Sequence, residues 1–133
     1  MKNTKSASSA TSITLFGIPN CDTVKKARTW LEAQAIPVHF HNFKKDGLNQ
    51  ATVEAWLETQ SLDVLINRKG TTWRALSDAQ KQLADEKHSA IALILAQPSL
   101  IKRPVLQIET SQNCVVQVGF NEALYQSTFQ TQI

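Results

Sequence analysis

Between Ser12 and Phe43 the apolar residues change period twice, and no other feature narrows the fold as much. The run "SITLF" (12–16) is rich in β-formers and stops at Gly17 and Pro19, which marks a short buried strand. From Asp22 onward Val24, Ala27, Leu31 and Ala35 recur at helical spacing, while Lys25, Lys26, Arg28 and Glu32 fall largely on other faces. Pro37 closes that helix, and "VHFHNF" (38–43) alternates as a second strand. A strand, a helix and a strand in so short a run imply a parallel pair joined by a crossover helix. That places the chain in the α/β class.

The remainder adds elements of two kinds. "KKDGL" carries turn chemistry around Asp46 and Gly47. From Asn49 to Gln97 the pattern is helical in pieces: "QATVEAWLETQ", a break at "NRKGTT", then "SDAQKQLADEKH" and "SAIALILAQ". Ser77 and Asp78 suit a helix start, and Pro98 ends the block. "PVLQIE" (104–109) and "CVVQVG" (114–119) are two β-rich runs joined by polar "TSQN", spaced as a hairpin, and "NEALYQSTF" suits a closing helix. The order is βαβ, a helical block over about 49–97, then ββα. A small mixed sheet with helices packed on it follows, although strand order does not.

At 133 residues the chain has the size of one domain, expected over 13–133. The opening "MKNTKSASSATS" is polar with no apolar stretch, and residues 1–12 are expected to form a disordered leader rather than a secretory signal. "AIALILA" (90–96) is too short to span a bilayer, so no membrane is expected as a partner. The net charge of +3 is spread out, which argues against direct nucleic-acid binding and suits small anionic ligands. Neither CxxC nor a Cys/His cluster at metal-ligand spacing is present, so no metal is expected. Two distant cysteines do not make a disulfide scaffold, and a reducing cytoplasm and a monomer are the expectation.

Cys21 stands at a boundary, behind Gly-x-Pro and immediately before a basic helix. Unpaired N–H groups and the helix dipole at such a place favour a thiolate over a thiol. Lys25 lies one turn on and shares the helix face, so its ammonium adds to the effect, while Asp22 opposes it. Cys114, at the start of a β-run, reads as an ordinary small side chain. Trp56 and Trp73 read as core, Arg74 as surface, and His39 and His41 share one side of a strand in a packing or surface role.

"GIPNCDTVKKARTWL", "FHNFKKDGL", "NRKGTTWRAL" and "IKRPVL", in that order and spacing, resemble the arsenate reductase-like family over residues 13 to 129. The resemblance is to its YffB branch, whose relatives include the regulator Spx. It implies a thioredoxin-like fold with a helical insertion between the βαβ unit and the ββα unit. It also implies that Cys21 is the redox-active thiolate and that Pro104 is a cis-proline facing it. Arg103 falls on an oxyanion-binding arginine of the family, and Arg68 or Lys69 on a second. Asn20 and Lys25 complete the implied substrate pocket. Guanidinium groups suit such sites because they pair bidentately with oxyanions and carboxylates.

The departures are as informative as the matches. Arsenate reductases of the family carry a histidine at Gly17, a serine at Val24 and a third arginine near Val118. The second cysteine of an Spx-type CxxC would also fall on Val24. The expected activity is therefore a glutathione-dependent thiol oxidoreductase with one working cysteine. Glutathione is its thiol co-substrate, glutaredoxin a possible partner, and no cofactor is bound. The alternatives are an Spx-like, non-enzymatic adaptor for a transcription complex, with a protein partner, and a genuine arsenate reductase.

Overall fold

The computed structural model describes residues 11–132, so most of the expected leader lies outside the described residues. Strand β1 (Ser12–Gly17) already includes Ser12 and is followed by helix α1 (Asp22–Ala33) and strand β2 (His39–Asn42). Five short helices come next: α2 (Phe43–Asp46), α3 (Gln50–Trp56), α4 (Leu62–Leu65), α5 (Thr71–Arg74) and α6 (Asp78–Gln82). A turn of 3₁₀ helix, helix α7 (Lys87–Ala96) and a second 3₁₀ turn lead to β3 (Val105–Glu109), β4 (Cys114–Val118) and α8 (Glu122–Gln132).

The chain divides into two units, one of residues up to Asn42 and from Arg103 onward, the other Phe43–Lys102. The second unit is wider at both ends than the helical block read from the sequence. The first unit holds a four-stranded sheet in the order β2-β1-β3-β4. β1 and β2 are parallel, with Thr14 opposite His39, as a crossover through α1 demands. β1 and β3 are antiparallel, with Leu15 opposite Leu106, and β3 and β4 form the hairpin, with Glu109 opposite Cys114.

Alternation along the strands builds the first unit's core. Ile13 and Leu15 on β1 and Leu106 and Ile108 on β3 are buried in one cluster with Ala27 and Leu31 of α1 and Tyr125 and Phe129 of α8. Both helices therefore cover the same sheet face. Tyr125 stands edge-on to Trp30 and Phe120, with ring centroids 5.7 and 4.8 Å apart, and burial raises its hydroxyl pKa. On the same face Gln117 reaches α8, its side-chain amide donating to the Thr128 hydroxyl, which in turn donates to the Leu124 carbonyl.

Three details differ from the sequence reading. Ala35 is not on the helical stripe: α1 ends at Ala33, and Ala35 takes a left-handed φ of 56° while its N–H donates to Glu32. The Ile36 N–H returns to Leu31, so the helix closes before Pro37 acts. Phe43 starts helix α2 rather than ending a strand, and Gly47, at φ 76°, ends that turn with its N–H on Phe43. The helical block is cut into shorter helices than the sequence pattern separates, and three of them start at a side-chain cap. Asn49 caps α3, Ser61 caps α4, and Ser77 caps α6, its own N–H donating in return to the Gln80 side-chain oxygen.

Candidate active site

The parallel and antiparallel pairings collect four strand ends at one edge of the sheet. Gly17 ends β1 opposite Asn42, which ends β2. Val105 begins β3 opposite Phe16 and opposite Val118, which ends β4. Pro104 lies one step beyond, buried, with its carbonyl accepting from the Gly119 N–H at 2.8 Å. The bond between Arg103 and Pro104 is cis, and Arg103 is half-buried. Gly119 ends the hairpin with a φ of 84°, a conformation that favours glycine.

Cys21 reaches this edge from the β1 side. It is the N-cap of α1, with extended backbone at φ −103° and ψ 126°, and its carbonyl accepts from the Lys25 N–H at 2.9 Å. Its side chain is half-buried and makes no capping hydrogen bond. The N–H groups of Asp22, Thr23 and Val24 have no carbonyl one turn back, so they are open to negative charge at the sulfur or on a bound anion. Asn20 and Lys25 flank Cys21 and are exposed. Lys25 also lines a groove of about 470 Å³ with Lys26, Trp30, Phe120 and Glu122.

Asn20, Cys21, Lys25, Arg103 and Pro104 all belong to the first unit, whereas Arg68 and Lys69 belong to the second. Arg68 pairs with Asp63 at 3.1 Å and lies over the Trp73 ring, 4.6 Å from its centroid. Trp73 is therefore half-buried and a stacking platform for a cation, not the core residue expected, while Trp56 is fully buried as expected. The Lys69 carbonyl accepts from Arg74, whose guanidinium reaches back across the loop. Periodicity could not have shown this, because the loop turns on itself over five residues. His41 stacks on Phe16 at 4.8 Å, a packing role.

A sequence profile of the ArsC family matches residues 16–128, the whole span from the end of β1 into α8. The chain belongs to the ArsC family. An uncharacterized protein of Haemophilus influenzae is 42% identical over 118 residues, which cover 88% of this chain and 98% of that protein. The global transcriptional regulator Spx of Streptococcus pneumoniae is 30% identical over 113 residues, 83% of this chain and 80% of the regulator. Among solved structures, a YffB protein superposes with a TM-score of 0.77 at 41% identity, covering 87% of this chain and 97% of its own. An arsenate reductase (ArsC) related protein from Brucella melitensis gives a TM-score of 0.65 at 43% identity, with 89% and 94% covered. These likenesses agree with the YffB branch and with a thioredoxin-like ArsC fold.

Proposed function

We propose that the protein is a glutathione-dependent thiol oxidoreductase in which Cys21 is the only reacting protein thiol. The observation that carries this reading is Cys21 as an N-cap at the sheet edge where Arg103 and Pro104 also lie. The thiolate attacks one sulfur of a mixed disulfide between glutathione and a substrate thiol. A bond from Cys21 to the glutathione sulfur forms, the old S–S bond breaks, and the substrate leaves as a thiolate that takes up a proton. A second glutathione thiolate then attacks the glutathione sulfur, restoring Cys21 and releasing oxidised glutathione. The substrate gains two electrons, and two glutathione moieties leave joined by a disulfide.

Arg103 and Lys25 supply positive charge for the carboxylates of the peptide and for the thiolate, with Asn20 and the backbone of Pro104 lining the same place. Arg68, or Lys69 beside it, is assigned to a further carboxylate by resemblance alone. Arsenate is not the favoured substrate, since Gly17, Val24 and Val118 offer neither a histidine, a hydroxyl nor a guanidinium. The protein is proposed to act in the cytoplasm as a monomer; among the described residues no helix is long and apolar enough to cross a membrane.

The likeness to Spx favours a second reading, an adaptor that binds a transcription complex. Mass spectrometry after incubation with oxidised glutathione separates the two. One glutathione adduct on Cys21, removed by reduced glutathione, is the expected result. An unmodified Cys21, together with Cys21-independent capture of RNA polymerase, would replace the enzyme by the adaptor.

A further inference from the structure

Gly17 is buried at the end of β1, and its backbone lies outside the left-handed region, so glycine is required there for space rather than conformation. The space is taken by the first turn of α1. A Cβ on Gly17 would fall 2.8 Å from Cγ2 of Val24, 3.4 Å from Cγ1 and 3.7 Å from Cβ. Val24 has no exposed surface, and a β-branched side chain is stiff at χ1, so its methyl groups have no low-cost way to move aside. The strand end and the helix start are therefore seated against each other through one methyl group on bare backbone.

Val24 also holds the N3 position relative to Cys21. Elsewhere in the chain the N3 N–H is the donor that an N-cap side chain uses: Thr52 to Asn49 at 2.9 Å, Val64 to Ser61 at 3.2 Å and Gln80 to Ser77 at 3.1 Å. Whatever sets the seat of Val24 thus sets the donor nearest in kind to the Cys21 sulfur.

We infer that Val24 is a positioning residue for Cys21, acting through Gly17 to fix how closely the first turn of α1 approaches the end of β1. This rests on the reading of Cys21 as the reacting thiolate. The packed pair holds the sulfur above the helix N-terminus and within the sheet edge that carries Pro104. Neither residue touches the substrate.

The test compares four proteins in a Cys114→Ser background: the parent, Gly17→Ala, Val24→Ala and the double variant. Asp22, Lys25 and Arg103 are unchanged in all four, so differences report position rather than charge. The rate of glutathione adduct formation on Cys21 and the ultraviolet thiolate band at neutral pH are read alongside melting temperature. Gly17→Ala is expected to slow the adduct about tenfold and weaken the band, the size of coupling seen between contacting residues. The double variant is expected to recover to within about twofold of the parent, because its two Cβ atoms meet at ordinary contact distance, while its melting temperature stays below the parent's. Gly17→Ala reacting at the parent's rate, or a double variant as slow as Gly17→Ala, would overturn the role. Should Gly17→Ala not fold, a Val24→Ala slower than the parent together with a double variant faster than Val24→Ala supports it, and any other order refutes it. A parent that forms no adduct would remove the thiolate reading itself, whereas a reactive parent with indifferent variants removes only the role of Val24.

Discussion

The two cysteines occupy opposite ends of the same sheet, and they differ in exposure and in the element each one begins. Cys21 is half-buried, caps a twelve-residue helix and stands at the edge where β3 begins. Cys114 is exposed, starts β4 beside a polar turn and pairs with Glu109 at the far end of β3. Five residues of strand separate the edges, roughly 13–17 Å at ~3.3 Å per residue. A disulfide needs Cα atoms within about 7 Å, so the two thiols cannot join without unfolding the hairpin. The difference separates two influences on a thiol, since the more accessible cysteine is the one without a helix end.

The largest effect that would break the comparison comes from exchanging the cysteines. Cys21→Ser is expected to abolish the glutathione adduct, and Cys114→Ser to leave its rate within about twofold, since surface changes away from special features are near neutral. Mass spectrometry of each variant decides, and a persistent adduct in Cys21→Ser would invert the assignment. Next in size is Arg103→Ala, expected to slow adduct formation about tenfold or more, in line with the ~1.5–3 kcal/mol of a hydrogen bond to a charged group. An unchanged rate would leave Arg103 a structural residue.

Stability gives a further contrast between the ends. Gly17→Ala forces a methyl group against Val24 and is expected to cost about 1–3 kcal/mol in denaturant unfolding, as overpacking does. At the other end Thr110 accepts from the Gln112 and Asn113 N–H groups and donates to Asn113, tying the hairpin turn. Thr110→Ala is expected to cost about 1 kcal/mol, the net worth of such bonds, with Cys21 reactivity unchanged. A shifted Cys21 rate in that variant would mean that the two ends are coupled.

The βαβ start, the hairpin and the closing helix were legible because their apolar periods are long enough to show which face is buried. Strand order was not, since it depends on pairings such as Leu15 with Leu106 that no local pattern encodes. The short helices were blurred for a related reason: α4 and α5 span four residues each, too few for a period. Cys21 was legible as an N-cap from its place between Pro19 and the helical stripe. The Gly17–Val24 contact was not, because the sequence shows a glycine and a valine without their approach. Arg68 or Lys69 falls on an anion-binding position by the resemblance alone, whereas the pairing of Arg68 with Asp63 and its stacking on Trp73 are contacts of a folded loop that no local pattern displays.

On the proposed function, the helix end and not accessibility makes Cys21 the reactive thiol. Competitive alkylation with a limiting amount of iodoacetamide at neutral pH, quantified for both cysteines in one sample, tests it most directly. Cys21 is expected to be modified at least about tenfold faster than Cys114 despite its lower exposure, because the N-terminus of α1 favours negative charge developing at its sulfur. Equal rates, or faster labelling of Cys114, would leave the N-terminus of α1 without a part in thiol reactivity.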